Sequence, residues 1–290
     1  MRMRLGGPSK RNASLGYVWL GTLTMLCLVG HSNLNRTHLS YNVARLTARP
    51  WLADEYLKDV IMRFVRSGSS ITMLIQFSPE FQRLFKIFSQ GNAAGIQTSA
   101  RNLRAAKHRF ESFQRPLGRC CLFLGALIKT ALRIARVRAD KQGARALSFL
   151  SWVNTERCLA AAMLADGADE AMILTRYLDS EEADPAEMNL EVSAYLRRIH
   201  GLFHDRKCLS EVGYTSYMLE LLRTPMVFTV GKDVHSIGNE GGVPQSTIES
   251  CISRMQCWTA LNRAAVMAEF PHFEVSQVGL SRSMDYTVRV

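Results

Sequence analysis

Three groups of side chains in this 290-residue chain have types and spacings that could do chemistry. His200, His204 and Cys208 recur at intervals of four. On a continuing helix all three would project to one side, as zinc ligands do, with two neutral imidazoles and a thiolate as donors. The local sequence holds no fourth ligand, although Asp205 is adjacent. Two histidines near a helix C-terminus are also favourable against the helix dipole with no metal at all. The second group is cationic. Residues 98–138 carry Arg101, Arg104, Lys107, Arg109, Arg115, Arg119, Lys129, Arg133, Arg136 and Arg138 against a lone acid, Glu111. Such a surface could neutralise phosphates along a nucleic-acid backbone or lie on an acidic membrane. The third group, Asp179, Glu181, Glu182 and Asp184, lacks the spacing of a calcium loop and reads as a solvated turn.

Other chemistries find no footing. No Ser-His-Asp or Cys-His arrangement stands out by spacing. The Gly-rich stretch GKDVHSIGNEGGVP from Gly231 matches neither a P-loop nor a dinucleotide fingerprint. No two cysteines form a CxxC pair, so zinc-finger spacing is absent too. Most of the seven thiols sit among apolar neighbours and read as small core side chains in a reduced protein. These absences favour a non-enzymatic protein with no cofactor over an enzyme whose site has no recognisable pattern.

Charge divides the chain. Residues 1–145 hold 24 Lys and Arg against 6 Asp and Glu, a net +18. Residues 146–290 hold 12 against 19, a net −7, and together they give the overall +11. Three regions follow: a basic N-terminal segment over 1–49, a basic helical region over 50–142 and an acidic helical region over 143–290. The basic half either meets an external polyanion or is covered by the acidic stretch from Asp166 to Glu191.

Helical periodicity dominates the elements that must carry these groups. The central stretch, Asn154 to His204, reads as three helices: one capped by Asn154 and ended by Gly167, a second from Asp169, and a third opened by Asp184, Pro185 and Glu187. Residues 51–66, 79–90 and 117–138 are amphipathic at helical spacing, the last with Lys129, Arg133 and Arg136 on one face. Ser246 and Glu249 open a long helix whose core stripe is Ile248, Cys251, Ile252, Met255, Trp258, Leu261 and Val266. Met226–Val230 is the one convincing strand, with the tail after Phe273 as a second, weaker candidate. The fold class is mainly α, an irregular multi-helix bundle with at most a small β element near 225–231 and the C-terminal tail.

The N-terminus is open to several readings. No Asp or Glu occurs before Asp54, and the uncharged run Leu15–Gly30 follows four basic residues. It fits a buried core strand, a signal peptide or transit segment, or a membrane anchor. As an anchor it is short, spanning about 24 Å against a hydrocarbon core of about 30 Å.

Two stretches carry a resemblance. YLKDVIMRFVRSGSS, from Tyr56, and KHRFESFQRPLGRCCLFL, from Lys107, resemble the helical region of hAT-type transposase-like proteins. His108-Arg109-Phe110-Glu111-Ser112 is the matching motif, with His in place of Thr. The resemblance covers about a third of the chain and implies that Arg109, Phe110 and Ser112 are family-motif positions. The family's RNase H-like core, zinc-binding module and dimerisation region have no matching stretch here, so no catalytic role carries over. The expectation is a transposon-derived helical module that binds nucleic acid non-specifically through its basic half. The alternative is a membrane-anchored or secreted helical protein using residues 15–30.

Overall fold

The computed structural model describes residues 54–90, 103, 114–180 and 187–269. The helices follow in order as α1 (Glu55–Ile61), α2 (Ile71–Gln76), α3 (Pro79–Ser89), α4 (Gln114–Leu122), α5 (Leu124–Val137) and α6 (Lys141–Trp152). After these come α7 (Thr155–Asp179), α8 (Met188–Phe203) and α9 (Tyr214–Leu221). The hairpin β1 (Met226–Val230) and β2 (Asp233–Ile237) then precedes α10 (Gln245–Glu269). The protein is mainly helical, as expected.

Capping chemistry sets most helix starts. Asp54 accepts from the backbone N–H groups of Tyr56 and Leu57 at 2.8 and 3.0 Å. Ser78 caps α3 with Pro79 in its first turn. Asp140 and Asn154 do the same for α6 and α7. Each such oxygen satisfies a donor that the helix itself cannot, worth about 1 kcal/mol. Beyond α1 the chain runs through one π-helical turn, Met62–Arg66, before Gly68.

The centre of the molecule is α7. Every residue from Cys158 to Ala168 is buried, and α1, α4, α8, α9 and α10 all pack against this helix. A helix apolar on all sides is a core helix, and the run CLAAAMLA supplies that. Gly167 does not end it. The helix continues unbroken to Asp179, so two of the three expected central helices are one. An interior glycine costs about 1 kcal/mol relative to alanine, and burial against five neighbouring helices outweighs that.

A second layer consists of α5, flanked by α3 and α6, with α2 lying across α3 and α6. Phe85 of α3 meets Phe123 edge-on at 6.1 Å, and Phe64, Phe149 and Trp152 form an aromatic cluster beneath α6. Asp59 accepts from the Trp152 indole at 2.6 Å. One buried cluster reaches from Leu57 to Val266, so the division of charge near residue 142 is not a boundary in the core.

Several local expectations are corrected. The stretch 117–138 is two helices, broken at Phe123, whose backbone leaves helical geometry. Gly143 lies within α6. The assigned start of α8 is Met188, with Glu187 in the cap position and no side-chain cap bond; Asp184 and Pro185 lie outside the described residues. Ser246 is inside α10, which begins at Gln245, and Glu249 accepts from Arg206 and Gln245 instead of closing a capping box. Leu261 is 47% exposed, while its neighbour Asn262 is buried and accepts from the Tyr195 hydroxyl at 3.0 Å. The Gly-rich stretch contains β2, paired antiparallel with β1 from Met226↔Ile237 to Val230↔Asp233. The tail after Phe273 and the run at 15–30 lie outside the described residues.

One long-range tie positions α9. Asp166, buried in the middle of α7, accepts from the backbone N–H groups of Tyr214 and Thr215 at 2.7 and 2.9 Å. It is a helix cap supplied by another helix. Gly213 makes room for it, since a Cβ there would stand 2.8 Å from the Asp166 carboxylate. Gly118 of α4 performs the matching service on the other side, because its Cβ would fall 2.4 Å from the Tyr214 ring.

Two stability measurements follow. Asp166→Ala leaves two donors at the start of α9 unmet and should cost about 2 kcal/mol or more in denaturant unfolding. A loss within about 0.5 kcal/mol would show that the tie is not structural. Nearby Asp169 has its carboxyl pushed up to about 6 by burial, with Asp166 and Glu170 adding repulsion. A carboxyl raised in the native state favours the fold at low pH and loses that contribution as pH rises from about 4 through about 6. Asp169→Asn should therefore raise the melting temperature by about 2–4 °C at pH 7.5, for a partly screened gain of about 1 kcal/mol. The gain should vanish near pH 4.

Candidate nucleic-acid interface

The basic face belongs to α5. Its inner positions Leu124, Leu127, Ile128, Ala131 and Ile134 are buried, which leaves Lys129, Arg133 and Arg136 to solvent. All three are exposed, and among the described residues none has an acidic partner within ion-pair distance. Along the axis the side chains are about 6 and 4.5 Å apart. The neighbouring α3 adds exposed Arg83 and Lys86. Arg138, at the end of α5, is engaged differently: it faces Asp140 and Gln142 and lies over the Phe81 ring at 5.8 Å.

Two of the acidic residues thought able to cover this face have other partners. Asp166 caps α9, and Glu170 accepts from Arg198 at 2.5 Å. Glu181, Glu182 and Asp184 lie outside the described residues, as do Arg101, Arg104, Lys107 and Arg109 of the expected cationic group. The motif positions Phe110 and Ser112 lie there as well.

Sequence reasoning missed a hollow at the N-terminal end of the same face. It holds about 190 Å³ and is lined by Phe88 of α3, Phe123, Ala126 and Lys129 of the α4–α5 region, and Tyr217 and Leu221 of α9. Tyr217 is fixed there by its hydroxyl, which donates to the Leu122 carbonyl at 3.2 Å. Phe88, Lys129 and Tyr217 are about forty and ninety residues apart in sequence. No local pattern could have joined them.

The expected metal triad does not assemble. Helix α8 ends at Phe203, and Arg206 turns the chain through a left-handed backbone conformation at φ 59°. Cys208 therefore enters the core, 2% exposed, rather than joining the exposed His200 and His204. The imidazoles stack at 4.4 Å, with Asp205 at 3.8 Å from His200. Burial pushes the Cys208 thiol up to about 12, with Asp166 adding to the rise, which opposes a thiolate ligand. Among the described residues no three His, Cys, Asp or Glu side chains converge as a metal site.

Four of the five remaining described thiols fit the core reading. Cys120, Cys121, Cys158 and Cys251 are buried and Cys257 is exposed. Cys120 and Cys121 leave α4 in different directions, and both find the interior because α4 is enclosed by α7 and α9. The native protein should thus react rapidly with a maleimide at Cys257, and at the five buried thiols only on unfolding. Rapid labelling of Cys208 in the native state, read by peptide mass, would contradict its placement.

Among the described residues no helix is long and apolar enough to cross a membrane. No protein-family model, curated protein or solved structure matches the chain.

Proposed function

We propose that this chain is a non-enzymatic helical module, transposon-derived as its resemblance suggests, that binds nucleic acid without sequence preference through the basic face of α5. The observation that carries the reading is the row Lys129, Arg133 and Arg136, exposed on a well-anchored helix and free of acidic partners among the described residues. Cations that are structural elsewhere in this protein find a carboxylate or an aromatic ring, as Arg198, Arg206 and Arg254 do. Among the described residues these three do neither. A rigid cationic row at helical spacing neutralises phosphates and releases their counterions, which gives affinity that falls steeply with salt. Nothing in the arrangement resembles a recognition helix inserted among base edges, so preference among duplex sequences is not expected.

Replacing Lys129, Arg133 and Arg136 together by Ala tests this. The salt slope on duplex DNA should flatten by about 0.9 for each phosphate no longer neutralised, hence by about 2.7. The melting temperature should hardly change, because exposed substitutions to a good helix former cost within about 0.5 kcal/mol. Unchanged binding with a lowered melting temperature would make the row structural and end the proposal.

A further inference from the structure

The hollow beside Lys129 bears on which nucleic acid the face takes. We infer that the face binds a single strand, with one nucleobase seated in the hollow and adjoining phosphates on Lys129, Arg133 and Arg136; this rests on the nucleic-acid reading of the same face. Three observations meet. The hollow is continuous with the basic row, since Lys129 lines it and Arg133 and Arg136 follow at i+4 and i+7. Three aromatic residues contribute to its lining: Phe88 and Tyr217, both half-buried, and the buried Phe123. Its volume of about 190 Å³ falls below the ~300–1,000 Å³ of sites for larger ligands and suits a single planar ring system.

Bases in a duplex are stacked and paired, and reaching such a hollow would require flipping one out at a cost of a few kcal/mol. A single strand offers its bases without that cost. Stacking on an aromatic side chain contributes about 1–3 kcal/mol per base and accepts any base, because each has a π face. Sequence tolerance and preference for single strands follow together. The tyrosine hydroxyl is already committed to the Leu122 carbonyl, so Tyr217 presents its ring rather than a donor.

Gly125 provides the test. It lines the hollow, and a Cβ added there meets nothing within 4 Å. Gly125→Leu therefore fills the hollow while every basic side chain remains. The full chain is titrated, by fluorescence anisotropy, into a short oligothymidylate and into an abasic strand with the same number of phosphates. The wild type should bind the intact strand about tenfold more tightly, at the lower end of the stacking range. Gly125→Leu should bring the ratio close to one without lowering the melting temperature, and Phe88→Ala, which removes one of the lining rings, should also lower the ratio. The Lys129, Arg133 and Arg136 triple variant should weaken both strands and keep the ratio. A wild-type ratio near one, or an unchanged ratio in Gly125→Leu, overturns the base-binding inference and leaves the basic face standing. A triple variant that binds both strands as the wild type does overturns the reading of the face itself.

Discussion

A carboxylate buried inside an apolar helix must find donors, and Asp166 finds them at the start of α9. Much of the architecture follows from that requirement. Burial pushes its carboxyl above the usual range, while the bonds from Thr215 and Tyr214 pull it back. An isolated helix as short as α9 is marginal in water, and the borrowed cap supplies what its own Gly213 cannot. Once α9 is held, Tyr214 rests over Gly118 and Tyr217 reaches the Leu122 carbonyl. Both residues touched belong to α4, just before the break at Phe123 from which α5 departs. The interaction in the core and the basic face at the surface are thus two ends of one connected series of packed residues.

The same constraint explains how much was legible in the sequence. Local rules succeeded where the deciding forces were local. Asn154 caps the helix it precedes, the apolar stripes of α3 and α5 face inward, and Met226–Val230 is a strand. Gly167 misled because a glycine's cost of about 1 kcal/mol is small beside burial from many sides, and only the tertiary structure reveals those sides. Leu261 and Asn262 exchanged their expected places for a related reason: periodicity ranks residues by polarity, while the Tyr195 hydroxyl made an asparagine acceptable inside. β2 was hidden because its residues alternate weakly and owe their order to pairing with β1.

The site divides along the same line. Lys129, Arg133 and Arg136 share a face that helical spacing alone specifies, and they are exposed. The expected metal triad assumed that α8 would continue, and the left-handed turn at Arg206 removes Cys208 from reach. The hollow required three helices to meet, which no pattern along the chain encodes. The ion pairs that are partly or largely exposed, such as Lys58–Glu55 and Arg223–Glu220, add little to any of this, since such pairs are typically worth about 0–1 kcal/mol. The fold rests on its core and caps, and among the described residues Lys129, Arg133 and Arg136 of α5 take no part in an ion pair.

Nucleic acid, when bound, should lie along α5. Ultraviolet cross-linking of the full chain to a uniformly thymidine strand, followed by digestion and mass spectrometry, locates the bound strand directly. Cross-linked nucleotides should concentrate in peptides spanning residues 124–137 and in those bearing Phe88 or Tyr217. Cross-links confined to α8 and α10, with none on α5, would contradict it.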